Sequence, residues 1–399
     1  MKRFLLYLLA LAPLCSFAQI ETGYYRVMND YTKRYMSIVD TNADFKIGAA
    51  YPNYVYADLQ AIHMLTGFED SVAYNPASIC YIEYMGTVKG EQIYNLSGQG
   101  LDLYETTGRL LNAAQTPKGL YRIYATGEGG GMVVTRYLID NTYHNTVYYP
   151  SIGDGTSENN NRNWHVLSVD QSAESYFGVK PDLQATADGS YWATQYAGFP
   201  FKPSDASTKV YTVCNVDNAR GYAVIREISG NVPSQTPVLF HCGAATPSGN
   251  KMTLLPPGTS ANTGTNYLEG NYYCNDVVAD ADPTKNHRNV RAYDPLNMRV
   301  LGVDSKGRPA FVKGNDANLV KSKVDGKLLI PANEAYLAVS ASAPDVLQII
   351  TEEDYITGIH EINTSTTDGA KVIYDLQGRR VQAPSKGLYI VNGKKMIIR

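Results

Sequence analysis

Charge and tryptophan are scarce in this chain of 399 residues. Only 18% of residues are charged, and Trp164 and Trp192 are the only tryptophans. Lys and Arg number 35 against 38 Asp and Glu, so no basic excess marks a nucleic-acid or anionic-lipid partner. No CxxC spacing occurs among Cys15, Cys80, Cys214, Cys242 and Cys274, which argues against a zinc site. The glycine run Gly127-Glu128-Gly129-Gly130-Gly131 is followed by no Lys-Ser/Thr pair, so it reads as a β-turn and not a phosphate cradle. Only one long apolar run exists, Phe4 to Leu14, too short to span a bilayer. No transmembrane segment and no cofactor are therefore expected.

What the chain does have is tyrosine, 32 against 9 Phe. A Tyr ring packs while its hydroxyl reaches water, which suits thin β-domains with half-exposed faces and also suits sugar-binding surfaces. Short aromatic and β-branched runs recur at Gly23–Met28, Tyr35–Val39, Ile79–Tyr84, Gln92–Leu96, Leu120–Tyr124, Met132–Ile139 and Trp164–Val169, punctuated by Gly, Asn and Asp. That pattern predicts an all-β fold. One segment differs: Val55, Leu59, Ile62 and Leu65 have helical spacing, which predicts a short helix over 56–65.

The N-terminal end has the layout of a signal peptide. Lys2 and Arg3 precede the apolar run, and Ser16-Phe17-Ala18 supplies small residues at −3 and −1. Cleavage after Ala18 would leave Gln19 first. Cys15 invites a lipoprotein reading, which the residues before it, Ala12-Pro13-Leu14, oppose. The four cysteines beyond it permit three pairings in an exported protein. Cys242 with Cys274, or Cys214 with Cys242, is the expected bridge if there is one, since they share a unit.

Three regions follow the leader of residues 1–18. Residues 19–170 hold the starts GYYRVMNDYTKRYMSIVD, QIYNLSGQGLDL and GLYRIYATGEGGG, each an aromatic strand leading to a polar turn, and close on Asn163-Trp164-His165-Val166. This resembles ricin-type β-trefoil domains, and implies a β-trefoil-like barrel for that region. Their Gln-x-Trp sugar-binding signature is absent here, so no lectin site carries over. Residues 171–357 contain an echo: Val232-Pro233-Ser234-Gln235-Thr236-Pro237-Val238-Leu239 and Ile330-Pro331-Ala332-Asn333-Glu334-Ala335-Tyr336-Leu337. It predicts a central β-sandwich or barrel-like domain with an internal repeat. This region resembles accessory β-domains that precede secretion tails in bacterial surface proteins. Ser151–Arg162 and Pro256–Gly264 read as loops.

Residues 358–399 are a linker and a tail. Tyr374-Asp375-Leu376-Gln377-Gly378-Arg379-Arg380-Val381 and Lys386-Gly387-Leu388-Tyr389-Ile390-Val391-Asn392-Gly393-Lys394-Lys395 form two apolar strands with Gly378 and Asn-Gly turns, a C-terminal β-hairpin. The tail resembles the sorting domain of type IX secretion substrates in Gram-negative bacteria. The resemblance implies type IX secretion machinery as a partner and a location at the cell surface or outside the cell.

The candidate chemistry is sparse. Asp40-Thr41-Asn42-Ala43-Asp44 opens like a calcium loop, but Phe45 and Tyr51 stand where Gly and Glu are needed. Asp276, Asp280 and Asp282 form a second acidic loop, better read as solvated; no metal site is expected. His241 adjoins Cys242, but neighbours on a strand face opposite ways, so no Cys-His dyad is expected. His63 reads as a packed histidine and Trp164 as a core residue. Trp192 and Tyr196 share a strand face and are the candidate ligand-binding residues. The working function is non-catalytic glycan binding or adhesion, with an extracellular glycan or glycoprotein as partner. A secreted hydrolase assembled from distant residues is the alternative, and a purely structural surface component the third reading. A cleft with two convergent carboxylates would favour the hydrolase; an exposed aromatic platform would favour binding.

Overall fold

The computed structural model describes residues 19–40, 57–58, 62–102, 111–116, 118–129, 132–140, 150–153, 160–172, 174–276, 288–357, 373–381, 384, 386–391 and 394–398. The leader, residues 41–56 and the linker 358–372 lie outside them. The chain is mostly β, with short helical turns. Among the described residues no helix is long and apolar enough to cross a membrane.

The first unit contains strands β1 (Gly23–Asn29), β2 (Tyr35–Ile38), β3 (Ile62–Leu65), β4 (Cys80–Val88), β5 (Glu91–Gly98), β6 (Leu111–Gln115), β7 (Tyr121–Gly129), β8 (Met132–Asp140), β9 (Pro150–Gly153) and β10 (Trp164–Ser168). Six of them close on themselves, each antiparallel to the next: β1 to β4, β4 to β5, β5 to β6, β6 to β7, β7 to β10, and β10 back to β1. The pairs β2–β3 and β8–β9 are hairpin extensions of this circuit. Inward residues pack around Trp164, which is fully buried and donates its indole N–H to the Leu138 carbonyl at 3.0 Å.

The helix expected over 56–65 is not formed at its described residues; residues 56 and 59–61 lie outside them. Residues 57–58 and 62–65 are extended, and Met36 pairs with Met64 across β2 and β3. Ile62 and Met64 are buried while His63 and Leu65 are half-buried, so the operative period is two. Ile62 and Leu65 fit either spacing, and the free partner edge of β2 decides. A short π-helical turn follows at Phe68–Val72. The loop expected over 151–162 is also overturned at both ends, by β9 and by a helical turn at Asn160–Arg162.

The second unit is built on a ten-stranded sheet. Its strands are β11 (Leu183–Gln184), β12 (Tyr191–Gln195), β13 (Lys209–Asp217), β14 (Tyr222–Glu227), β15 (Val238–Cys242), β16 (Leu268–Asn271), β17 (Met298–Val303), β18 (Pro309–Val312), β19 (Glu334–Ala338) and β20 (Val346–Thr351). The order is β11-β12-β15-β13-β14-β20-β18-β17-β19-β16, antiparallel except for β14 with β20. The sheet curls until β12 lies beside β19: the Tyr196 N–H donates to the Asn333 carbonyl at 2.7 Å, and the Ala335 N–H to Thr194 Oγ1 at 3.3 Å.

The echoed segments share one backbone feature. Gln235 and Asn333 stand at the same place in each copy, and both are left-handed, with φ of 58° and 62°. Both flank the chain after β12, since the Gln235 N–H donates to the Ala197 carbonyl at 2.9 Å. Leu239 and Leu337, also matched, are fully buried in one core cluster.

The two units share packing. Tyr273 is buried in the first unit's core and donates its hydroxyl to the Gln99 carbonyl at 2.7 Å. Arg26, fully buried in β1, reaches the Tyr176 carbonyl at 2.7 Å and Ser175 Oγ at 3.2 Å, besides Ser78 and the carbonyls of Val72 and Ala73. A buried guanidinium with several acceptors holds those chain turns in register. The tail forms its own three-stranded sheet of β21 (Ile373–Tyr374), β22 (Gly387–Val391) and β23 (Lys394–Ile398), one strand more than the expected hairpin.

The described cysteines Cys80, Cys214, Cys242 and Cys274 are all free thiols. Neither expected bridge forms. Burial pushes the thiols of Cys80 and Cys242 up to about 12, leaving both protonated and inert.

Candidate functional site

Trp192 and Tyr196 fall into different aromatic groups. The Trp192 ring lies 4.8 Å from His241 and 6.3 Å from Tyr211, half-buried against the core cluster of Leu183, Leu239 and Leu337. Its N–H donates to Ser190 Oγ at 2.8 Å. Tyr196 lies beyond the end of β12 and packs, tilted, on Tyr272 with ring centres 4.2 Å apart. A Cβ on Gly270 would stand 2.2 Å from the Tyr196 ring, so that glycine is what lets the ring lie flat on β16. His241 and Cys242 do face opposite ways, Cys242 into a separate core cluster.

Between the two aromatics, the chain lines a cleft. Its main lobe, about 630 Å³, opens between Lys180–Leu183 on one side and Val300–Val303, Val312 and Asn315–Val320 on the other. A smaller lobe of about 190 Å³ continues past Thr194, Gln195 and Asn333 to Asn75 and Pro76 of the first unit. Tyr74, Lys180, Asp182 and Glu334 belong to both lobes. Neither Trp192 nor Tyr196 lines either lobe. The cleft is thus assembled from both units, from the curl that brings β12 beside β19, and from the short edge strand β11.

Asp182 and Glu334 dominate its electrostatics. Asp182 reaches solvent along the cleft, but protein surrounds it on the other sides. That burial pushes its carboxyl up to about 7, against the pull of the Thr194 N–H, which donates to Oδ2 at 2.8 Å, and of Lys180. Glu334, at the start of β19, is held well above the ordinary carboxylate range, first by burial and then by the charge of Asp182. Two such carboxyls resist ionising together. The Lys180 ammonium sits 4.8 Å above the Tyr74 ring at the same place. An amide chain borders the small lobe: Gln99 donates to Asn333 Oδ1, and Asn333 donates to Asn75 Oδ1 at 3.4 Å.

The arrangement offers hydrogen-bond donors and acceptors at Lys180 and Asp182 and an apolar wall of Val303, Val312 and Val320 across from them. No spacing rule could have paired Asp182 with Glu334, which are far apart in sequence; the only trace was that Glu334 lies inside the echoed segment. The other acidic candidates are engaged or undescribed. Asp276 binds the Arg288 Nε–H at 2.8 Å and the Lys323 N–H at 2.6 Å, while Asp280 and Asp282 lie outside the described residues. Asp40 is buried and accepts from Asn275 Nδ2 at 2.8 Å; residues 41–45 and Tyr51 lie outside. His63 packs half-buried on β3 opposite Ser37. No known protein family, curated protein or solved structure matches this chain.

Proposed function

We propose that this is an exported protein that binds an extracellular glycan or glycoprotein in the cleft, without catalysis, while displayed on the cell surface or released. The observation that supports binding is the cleft itself: a large concavity in which carboxyl, amide and ammonium groups converge opposite an apolar wall. Sugars present that same mixture of hydroxyls and apolar ring faces. A glycan array probed with the chain from Gln19 onward tests it. Binding should weaken about tenfold or more in the double variant Asp182→Asn/Glu334→Gln, which removes the charge the two carboxyls share. An array without hits, or hits indifferent to Glu334→Gln and Asp182→Asn, would remove the cleft from consideration.

The paired carboxyls favour a second reading, a secreted hydrolase. Glycoside hydrolysis needs one carboxyl that holds its proton and one that gives it up, and the cleft brings together two carboxyls, Asp182 and Glu334, each raised above the ordinary range by burial. Release of reducing ends from an array-positive glycan, lost in Asp182→Asn, would establish this reading over binding alone.

Export rests on Lys2, Arg3, the apolar run and Ser16-Phe17-Ala18. N-terminal sequencing of the exported protein should begin at Gln19; recovery outside the cytoplasm of material starting at Met1 would refute it. Type IX sorting rests on the tail motifs, and the tail's separate sheet supports an independent module. In a host with that machinery, deletion of 372–399 should stop surface delivery. A trefoil-like fold for 19–170 is supported by the six-strand circuit with hairpin extensions. An internal repeat in 171–357 is supported by the matched left-handed residues Gln235 and Asn333.

A further inference from the structure

A second cavity, of about 260 Å³, lies where the two units meet. It shares no lining residue with the cleft. The first unit contributes Tyr24 of β1, Tyr81 of β4, Ser97 of β5 and the turn Gln99-Gly100; the second contributes Gly198, Phe199 and Ser234. No ionisable acid or base other than tyrosine lines it.

Three aromatic rings stand together at this cavity. Tyr24 lies 5.0 Å from Tyr81 and 5.8 Å from Phe199, ring centre to ring centre. The half-buried hydroxyls of Tyr24, Tyr81, Ser97 and Ser234 make no hydrogen bond to the protein among the described residues, so they are open to a ligand. Burial holds the Tyr24 phenol far above the ordinary range, so it stays protonated and able to donate. The backbone here is also unusual. Gln99 is left-handed (φ 52°), and a Cβ on Gly198 would stand 3.0 Å from the Gln99 backbone, so the two units touch main chain to main chain beside the cavity. Left-handed non-glycine residues are costly and persist where surrounding structure imposes them.

We propose that this junction cavity is a second binding site, separate from the cleft, for one uncharged polyhydroxyl ring of monosaccharide size. Its volume is just under the ~300 Å³ at which larger ligands begin to fit. The lack of charge selects against sugar acids and amines, because a buried ion without a partner is expensive. The rings supply a surface for the apolar face of a sugar, and the four uncommitted hydroxyls supply donors and acceptors for its rim. Because both units build the walls, the ligand binds only when they are docked.

The test is saturation-transfer NMR on the chain from Gln19 onward, with glucose, galactose, mannose and N-acetylglucosamine each at about 10 mM, a range suited to weak single-ring binding. At least one sugar should receive saturation. Ser234→Trp, which fills the cavity, should abolish the transfer that persists when the cleft is impaired by Asp182→Asn and Glu334→Gln together. Tyr24→Phe removes one hydroxyl and keeps the ring; it should weaken binding roughly three- to tenfold, and it decides the matter if Ser234→Trp does not fold. Absence of transfer from all four sugars overturns the proposal. So does transfer that, with the cleft so impaired, survives both Ser234→Trp and Tyr24→Phe, or transfer lost in Asp182→Asn/Glu334→Gln alone, which would place the sugar in the cleft.

Discussion

At the residue scale, partial burial makes Trp192 a packing residue as much as a surface one. Its ring fills space between His241 and Tyr211. Trp192→Ala should therefore cost about 3 kcal/mol, near the lower end of large aromatic truncations, and thermal melting checks this without any ligand. A melting temperature unchanged by the mutation would return Trp192 to the list of binding residues. Asp182 carries a pH signature. A carboxyl whose proton affinity is raised by folding binds more protons folded than unfolded, so its contribution falls as pH rises from about 4 to about 7. His63 and His241, lowered by burial, work in the opposite direction below the ordinary histidine range. The comparison must therefore be with Asp182→Asn. Wild type should lose melting temperature relative to that variant between about pH 4 and pH 7. Parallel curves would mean that Asp182 titrates normally.

At the element scale, strands were the legible part. Tyr35–Val39, Gln92–Leu96, Met132–Ile139 and Trp164–Val169 are short aromatic and β-branched runs bounded by turn residues, and each holds a strand in the fold. The segment 56–65 misled because Leu59, Ile62 and Leu65 satisfy a helical spacing while Ile62 and Met64 also satisfy a strand; pairing with β2 settled it. The strand β16 carries a constraint that no pattern announces. Gly270 presses on the Tyr196 ring, and Gly270→Ala should displace that ring at a cost of about 1–3 kcal/mol. Chemical denaturation measures it, and Tyr196→Ala in the same background should relieve most of the clash.

At the scale of the whole molecule, the units should unfold together. Tyr273 completes the first unit's core, and Arg26 draws carbonyls and hydroxyls from both. Calorimetry of residues 19–357 should show one transition, and a fragment ending at residue 170 should not fold cooperatively. Two well-separated transitions would contradict this. Arg26→Ala, which leaves acceptors unsatisfied and a void behind, should lower that single transition by about 3 kcal/mol or more. Removal of the tail, which pairs only within its own sheet, should leave the transition where it is.

The sequence by itself determined the class: short aromatic and β-branched runs, turn residues and abundant Tyr specify many short strands, and such runs are a local property of the chain. It also marked Gln235 and Asn333 as equivalent, because the echo around them is local. It could not determine the cleft. Thr194 and Gln195 belong to the strand it singled out, yet they line the opening, whereas Trp192 and Tyr196 turn to packing. Asp182 and Glu334 meet only because the ten-stranded sheet curls until β12 reaches β19, and their proton affinities depend on the protein that then surrounds them. Burial and proximity between distant residues come from closure of the whole sheet, and no stretch of sequence contains that closure.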